Sequence, residues 1–181
     1  PAMIHGGPFA NIAHGCNSVI ATDFARRAVD VVVTEAGFGA DLGMEKFLDI
    51  KSRVLGAMPS AIVLVVSLKA LRLHGGAGKD ELKTENLGAL RAGMENLEKH
   101  VENVRLFHLP FVVSLNRFAT DSEEEIAFLR NWATERDVPF EISEVYAKGS
   151  EGGVGLARRV LDLLGRKSGE PCIPLYDPAE S

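Results

Sequence analysis

The alternation of short β-branched runs with longer amphipathic stretches constrains the fold of this chain more than any other feature. Apolar residues in the longer stretches recur every three or four positions, which is the period of a helix packed on a core. Strands joined by crossover helices lie parallel, and helices then cover both faces of the sheet. The sequence therefore predicts an α/β fold with a mostly parallel, doubly wound sheet and helices on both faces.

The predicted elements follow one another in a regular order. Strands are expected at residues 2–4, 30–34, 61–67, 110–115 and 138–142. Helices are expected at residues 17–29, 44–54, 84–107, 122–136 and 152–164. Asp121 or Ser122 is expected to cap one helix and Thr84 another, and the three acids at 123–125 are interpreted as helix-starting charges. Residues 1–165 are thus expected to form one α/β domain, and residues 166–181 an irregular tail that leads to a further segment.

Composition excludes several classes of protein. The net charge is −5 and no block of Lys or Arg occurs, so we expect no binding to nucleic acid or to an anionic membrane. The longest apolar run, at 61–66, is too short to cross a bilayer, and no targeting segment is visible. Cys16 and Cys172 have neither metal-ligand spacing nor a disulfide framework. We therefore expect a cytoplasmic protein with no metal site in this chain.

Loops that follow the predicted strands are the candidate sites, because ligands bind at the carboxyl ends of strands in open α/β sheets. The first loop, at residues 5–15, combines glycines with two histidines and an asparagine. Such a loop can cradle an anion or phosphate, or it can be a tight turn. Its candidate residues are His5, Gly6, Gly7, Asn11 and His14.

Glu35 follows the second predicted strand and is flanked by small residues. An acid at the end of a buried strand is where P-loop enzymes hold Mg²⁺ or order a water molecule. The same residue can instead cap a neighbouring helix. Both interpretations stay open on spacing alone.

Two later loops carry an amide, a lysine and two aromatic rings. Asn116 precedes Asp121 by five residues, a spacing typical of base-reading loops but also of simple turns. Lys148 lies in the loop after the next strand. Phe118 and Tyr146 can form a clamp for a flat heterocycle, because aromatic rings favour offset stacking, or they can pack in the core.

Taken together, these loops resemble those of formate–tetrahydrofolate ligase, also called formyltetrahydrofolate synthetase. The resemblance covers nearly the whole chain in order, and Glu-Lys-Phe at 45–47 and Asn-Leu-Glu-Lys-His at 96–100 also agree. The matching loops read His-Gly-Gly-Pro-Phe-Ala-Asn-Ile-Ala-His-Gly at 5–15, Thr-Glu-Ala-Gly-Phe-Gly-Ala-Asp-Leu-Gly at 34–43, Asn-Arg-Phe at 116–118 and Ala-Lys-Gly at 147–149.

The resemblance implies a P-loop-NTPase-like sheet and an enzyme that uses ATP, with Mg²⁺ in the complete enzyme, to convert formate to formyl phosphate. N10 of tetrahydrofolate then attacks the formyl group and gives 10-formyltetrahydrofolate. It also implies a homo-oligomer. Phe118 and Tyr146 are implied to sandwich the folate or nucleotide ring, beside Asn116 and Lys148. His5 and Glu35 are the implied catalytic residues, on the formyl-phosphate side with the glycines of loop 5–15.

The chain departs from the family pattern at three points. Tyr146 stands where the family usually has Trp, and Ala119 stands where it usually has Pro. No Gly-x-x-x-x-Gly-Lys-[Ser/Thr] run occurs. We therefore expect this chain to be the middle portion of a longer ligase, and we expect the chain by itself not to turn over ATP. Alternatives are a non-catalytic folate- or purine-binding module, or a structural segment that contacts another subunit through helix 84–107.

Overall fold

A computed structural model describes residues 16–165, 172, 174–177 and 179 of the chain. By its internal contacts the chain divides into two compact units. One comprises Pro1–Pro59 with Cys172–Ser181, and the other comprises Ser60–Pro171. The predicted α/β domain over residues 1–165, with a tail from residue 166, stays a prediction.

The second unit is built on a three-stranded parallel sheet. Its strands are β1 (Ile62–Val66), β2 (Phe111–Asn116) and β3 (Phe140–Ser143). They lie in the order β1-β2-β3, and both neighbouring pairs are parallel. The first five residues of β2 are all buried, so both faces of this central strand are covered. The prediction of an α/β fold with a parallel sheet is confirmed.

Helices surround this sheet in chain order. They are α3 (Leu68–His74), α4 (Leu87–Leu106), α5 (Glu123–Glu135), α6 (Val145–Lys148) and α7 (Val154–Leu164), with 3₁₀ turns at Lys79–Glu81 and Gly149–Gly153. Helices α4, α5 and α7 confirm three of the predicted helices to within three residues at each end. Helices α3 and α6 were not predicted, because seven and four residues are too few to show a clear helical period.

Side-chain capping differs between the two helices for which it was predicted. The prediction for Ser122 is confirmed, because its hydroxyl accepts a hydrogen bond from the amide three residues later, at 3.2 Å. The prediction for Thr84 is wrong. Helix α4 starts after Asn86, whose side chain accepts from the Ala89 amide at 2.9 Å, whereas the Thr84 hydroxyl donates to the Glu81 carbonyl at 2.8 Å. Thr84 therefore closes the preceding 3₁₀ turn.

Helices α3 and α4 touch through their backbones. A Cβ atom added to Gly93 would overlap the carbonyl oxygen of Leu71, and one added to Gly75 would overlap the carbonyl oxygen of Ala89. Only glycine permits so close an approach. These two glycines therefore fix how α3 and α4 pack.

The first unit contains short helices, among the residues described. They are α1 (Val19–Ala28), two π-helical segments (Ala40–Met44 and Lys46–Lys51) and α2 (Ser52–Leu55). The predicted helices at 17–29 and 44–54 are confirmed in position. Most of the second helix has the wider π-helical geometry. This geometry is rare in proteins overall, and where it occurs it is often at a functional site.

The predicted strand at 30–34 is wrong. These residues are irregular, and Val31 and Val33 are 49% and 90% exposed. A β-branched run becomes a strand only when a neighbour completes its hydrogen bonds, and no described residue does so here. The pairing nearest to it is an isolated bridge between Cys16 and Ala36. The strand predicted at 2–4 lies outside the described residues.

None of the described helices combines the length and the apolar character needed to cross a membrane.

Candidate functional site

The carboxyl ends of β2 and β3 bring two of the predicted loops side by side. Asn116, the last residue of β2, is in register with Ser143, the last residue of β3. The Arg117 amide continues the ladder by donating to the Ser143 carbonyl at 3.0 Å. Because parallel strands end at the same edge of a sheet, the chain leaves both strands from neighbouring points.

Phe118 lies in a closed turn directly after β2. Its amide donates to the Asp121 carboxylate at 2.8 Å, and the Asp121 amide donates back to the Phe118 carbonyl at 3.0 Å. The Lys69 ammonium, at the start of α3, lies 3.9 Å from the centroid of the Phe118 ring. One face of this ring is therefore covered by a cation, and a stacked ligand must use the other face or displace the ammonium.

Tyr146 and Lys148 lie in α6, directly after β3. The Tyr146 side chain is 86% exposed and therefore free to contact a ligand. The Lys148 ammonium pairs with the Glu144 carboxylate at 2.5 Å. The turn ends at Gly149, which has a φ of 59°, and the carbonyl of Gly152 accepts from the Glu144 amide at 3.0 Å. Glycine is required at residue 149, because a φ of 59° combined with a ψ of −144° is a conformation that essentially only glycine adopts.

Arg117 connects the two loops electrostatically. Its guanidinium lies 3.4 Å from the Glu144 carboxylate and also pairs with Glu123 at the start of α5. The hydrogen bond from Lys148 holds the pKa of Glu144 below its ordinary value, with Arg117 adding to the effect. Glu144 therefore stays ionised near neutral pH and keeps both loops paired. The four predicted ring-binding residues lie on these loops: Asn116, Phe118, Tyr146 and Lys148.

Glu35 belongs to the first unit and is exposed. Just after Glu35 the backbone passes very close to itself, since a Cβ atom on Gly43 would overlap the Gly37 carbonyl oxygen. Between these glycines, Phe38 adopts a positive φ of 70° and is 60% exposed. The other predicted residues of the formyl-phosphate side lie outside the described residues: His5, Gly6, Gly7, Asn11 and His14.

A buried ionic network beneath the Phe118 turn was missed from sequence. Arg72 of α3 is fully buried, and its guanidinium binds both carboxylate oxygens of Glu125, at 2.8 and 2.5 Å. It also lies 3.6 Å from the Asp121 carboxylate. The signal was available: Glu125 shares a helical face with Leu129 and Trp132, four and seven residues on, so its side chain had to point inward.

Two further features carry no predicted site residue. An open depression of about 590 Å³ lies between α1 and α2, and Ile20, Phe24 and Val54 contribute exposed apolar surface to it. Over the described parts of the chain, no group of three or more His, Cys, Asp or Glu side chains is arranged to hold a metal ion.

Comparison with models of known protein families identifies the family of this chain. The family model described as formate–tetrahydrofolate ligase matches residues 1–181, the entire given sequence. The match therefore includes the loops after β2 and β3, the Glu35 loop and the glycine-rich loop at 5–15. The chain belongs to the formate–tetrahydrofolate ligase family.

Proposed function

We propose that this chain supplies the ring-binding edge of a ligase that attaches formate to tetrahydrofolate at the expense of ATP. In the proposed reaction ATP phosphorylates formate, and N10 of tetrahydrofolate attacks the resulting formyl phosphate. Products are 10-formyltetrahydrofolate, ADP and phosphate. In the complete enzyme Mg²⁺ neutralises phosphate charge. Catalysis of this kind depends mainly on positioning and charge neutralisation.

The observation that carries the proposal is the shared edge of β2 and β3. It places Phe118 and Tyr146 on neighbouring loops, one ring beside a cation and the other 86% exposed. Two aromatic rings that approach from adjacent loops can hold a flat heterocycle between them. Asn116 and Lys148 then provide an amide and an ammonium at the ring edge.

The formyl-phosphate side is assigned to the other predicted loops. His5 and Glu35 are the proposed catalytic residues, and Gly6, Gly7, Asn11 and His14 the proposed backbone and side-chain donors. Glycine-rich turns expose amide groups that bind anions, which supports this role. Because the chain has no Gly-x-x-x-x-Gly-Lys-[Ser/Thr] run, we expect ring binding without ATP turnover from the chain alone.

Calorimetric titration of the 181-residue chain with tetrahydrofolate, and separately with ADP, tests the proposal. Phe118→Ala is expected to weaken ring binding by about five- to 150-fold, since stacking on an aromatic side chain contributes about 1–3 kcal/mol. Phe128→Ala is the matched control. Phe128 is also partly buried and has the Arg91 guanidinium 5.5 Å from its ring, but it lies on α5 outside the loops.

Each outcome of the titration has a distinct meaning. Unchanged affinity in Phe118→Ala, or no heat with either ligand, would exclude a ring site at this edge. Equal losses in Phe118→Ala and Phe128→Ala would indicate general destabilisation. A chain that binds the ring while the longer polypeptide carrying it makes no 10-formyltetrahydrofolate would favour the non-catalytic binding module.

We further infer a cytoplasmic location and a homo-oligomeric complete enzyme, both from family membership. The exposed face of α4 is a candidate subunit contact, because it is a long helix with a charged outer surface. Sedimentation velocity of the complete enzyme tests this inference. A monomer at micromolar concentration would contradict it.

A further inference from the structure

The network beneath the Phe118 turn contains more charge than packing requires. Arg72 and Glu125 are 0% exposed, and the Asp121 side chain is also fully covered. Two carboxylates thus share one guanidinium. Ionic groups of this kind are costly to bury, and replacing them with apolar residues is often neutral or stabilising. Stability alone therefore does not account for them.

Arg72 is the hub of the network. Its Nε and Nη2 atoms donate to the two oxygens of Glu125, and its Nη1 atom donates to the Leu82 carbonyl at 2.6 Å. Glu125 in turn accepts from the Asn86 amide at 3.0 Å. The guanidinium therefore ties α3 to α5 and to the segment that precedes α4. A planar fork is needed for this geometry, and lysine cannot reproduce it.

Asp121 connects the hub to the ring. One of its carboxylate oxygens, Oδ2, accepts the hydrogen bond from the Phe118 amide, at 2.8 Å. The other, Oδ1, lies 3.6 Å from Arg72 and has no hydrogen-bond partner within the described residues. A buried carboxylate oxygen without a hydrogen-bond donor is costly, and here the Arg72 guanidinium provides the nearby positive charge that offsets the cost. The orientation of Asp121, and with it the Phe118 backbone, therefore depends on Arg72.

We propose that Arg72 is a positioning residue for ring binding, which acts through Asp121 to fix the turn that carries Phe118. The identity of the ligand rests on the proposed function, whereas the contacts from Arg72 through Asp121 to the Phe118 turn are observed in the structure. Arg72 does not touch the ring, and its effect is to limit the orientations in which Phe118 meets the heterocycle.

Amide hydrogen exchange of the 181-residue chain tests the structural part. In Arg72→Lys the Phe118 amide is expected to exchange at least tenfold faster, because the turn opens locally. The Val113 amide, which donates to the Pro139 carbonyl at 2.8 Å inside the sheet, reports global unfolding. Val104→Ala, a fully buried position on α4, is the control for lost stability. It is expected to change Val113 exchange and leave the local opening at Phe118 unchanged.

A double-mutant cycle tests the functional part. Arg72→Lys is expected to weaken tetrahydrofolate or ADP binding by about tenfold in the parent chain and to have no further effect in Phe118→Ala. Asp121→Asn is expected to behave like Arg72→Lys, because one amide group cannot satisfy both neighbours. If Phe118 exchange in Arg72→Lys equals that in Val104→Ala, the network is structural only and the inference is wrong. If Phe118→Ala itself keeps full affinity, the ring site is wrong, whatever the exchange shows.

Discussion

Glu125 is a carboxylate whose charge depends on its buried neighbours. Burial works to raise its pKa, but hydrogen bonds from Arg72, the Asn86 amide and Ser122 outweigh it, so the pKa lies below its ordinary value. An acid with a lowered pKa stabilises the fold above its unfolded-state value near 4.5. That contribution is lost as the pH falls through the folded-state pKa.

We therefore expect Glu125→Gln to reduce the free energy of unfolding by roughly 3 kcal/mol at pH 7, because it leaves a buried guanidinium without its main partner. Urea titrations at pH 7 and at pH 3.5 measure the effect, and the difference from the parent chain should shrink at the lower pH. Glu124→Gln, at the exposed neighbouring position, should change stability by less than about 0.5 kcal/mol. Equal effects at 124 and 125 would contradict the buried network.

Lys51 is a buried base with the opposite behaviour. Its ammonium donates to the Thr22 hydroxyl at 2.9 Å and lies 4.4 Å from the centroid of the Phe47 ring. Burial lowers the pKa of Lys51 from its ordinary value of 10.5. The unfolded chain therefore binds this proton more tightly than the folded chain does. The penalty for the buried charge is present at neutral pH and disappears as the pH rises toward 10.5.

Lys51→Met should remove this pH dependence. Between pH 7 and 10.5 the parent chain should gain stability relative to the variant, by about 1.4 kcal/mol for each unit by which the pKa is lowered. Denaturant unfolding at several pH values measures the gain. Lys83→Met, at an exposed position, should show no such trend. A parent and a Lys51→Met variant with parallel stability profiles would show that Lys51 is not desolvated.

At the scale of single residues, the sequence brought out the proposed ring-binding residues but not the charged residues that support the Phe118 turn. Phe118 and Tyr146 stand out because they follow strands. Arg72 was hidden by its context, since it lies on a short helix and its partner Glu125 is 53 residues away. Partners that distant cannot be paired from spacing, although Glu125 shares a helical face with Leu129 and Trp132 and could be expected to face the core.

At the scale of helices and strands, the spacing of apolar residues predicts some elements and not others. It located all three strands of the described sheet and the long helices, because apolar residues repeat over two or more helical turns or along the whole of a strand. It failed at 30–34, where Val31 and Val33 look like a strand but lack a described partner. A β-strand forms only beside a neighbouring strand that completes its hydrogen bonds, and the sequence of one segment does not show whether that neighbour exists.

The crossing of α3 and α4 gives a sharp test at this scale. Gly93→Ala would push a methyl group into the Leu71 carbonyl, so we expect it to destabilise the chain by about 1–3 kcal/mol or more. Gly88→Ala is the matched control on the same helix, because its Cβ atom would lie 3.5 Å from the Asn86 side-chain oxygen. It should be neutral or stabilise by up to about 1 kcal/mol through helix propensity. Thermal unfolding of both variants measures the contrast, and equal effects would contradict the close crossing.

At the scale of the whole molecule, the predicted sites divide between the two compact units. Asn116, Phe118, Tyr146 and Lys148 belong to the unit from Ser60 to Pro171, whereas Glu35 belongs to the other. The network of Arg72, Asp121 and Glu125 is also internal to the sheet-containing unit. Every described contact that shapes the Phe118 turn is thus made within one unit.

Residues 60–165 expressed alone should therefore keep the proposed ring site. We expect a cooperative unfolding transition. Affinity for tetrahydrofolate or ADP should stay within about threefold of that of the 181-residue chain, because no described contact of the Phe118 turn is removed. A lost contact worth about 1.4 kcal/mol would instead weaken binding tenfold. Phe118→Ala in the excised unit should reduce that affinity as it does in the longer chain, and Phe128→Ala should not. Exposed Val63 and Val65 on β1 call for measurement at low protein concentration, where association through this strand is weakest. A folded excised unit that has lost ring affinity, beside a 181-residue chain that keeps it, would show that ring recognition requires residues of the other unit.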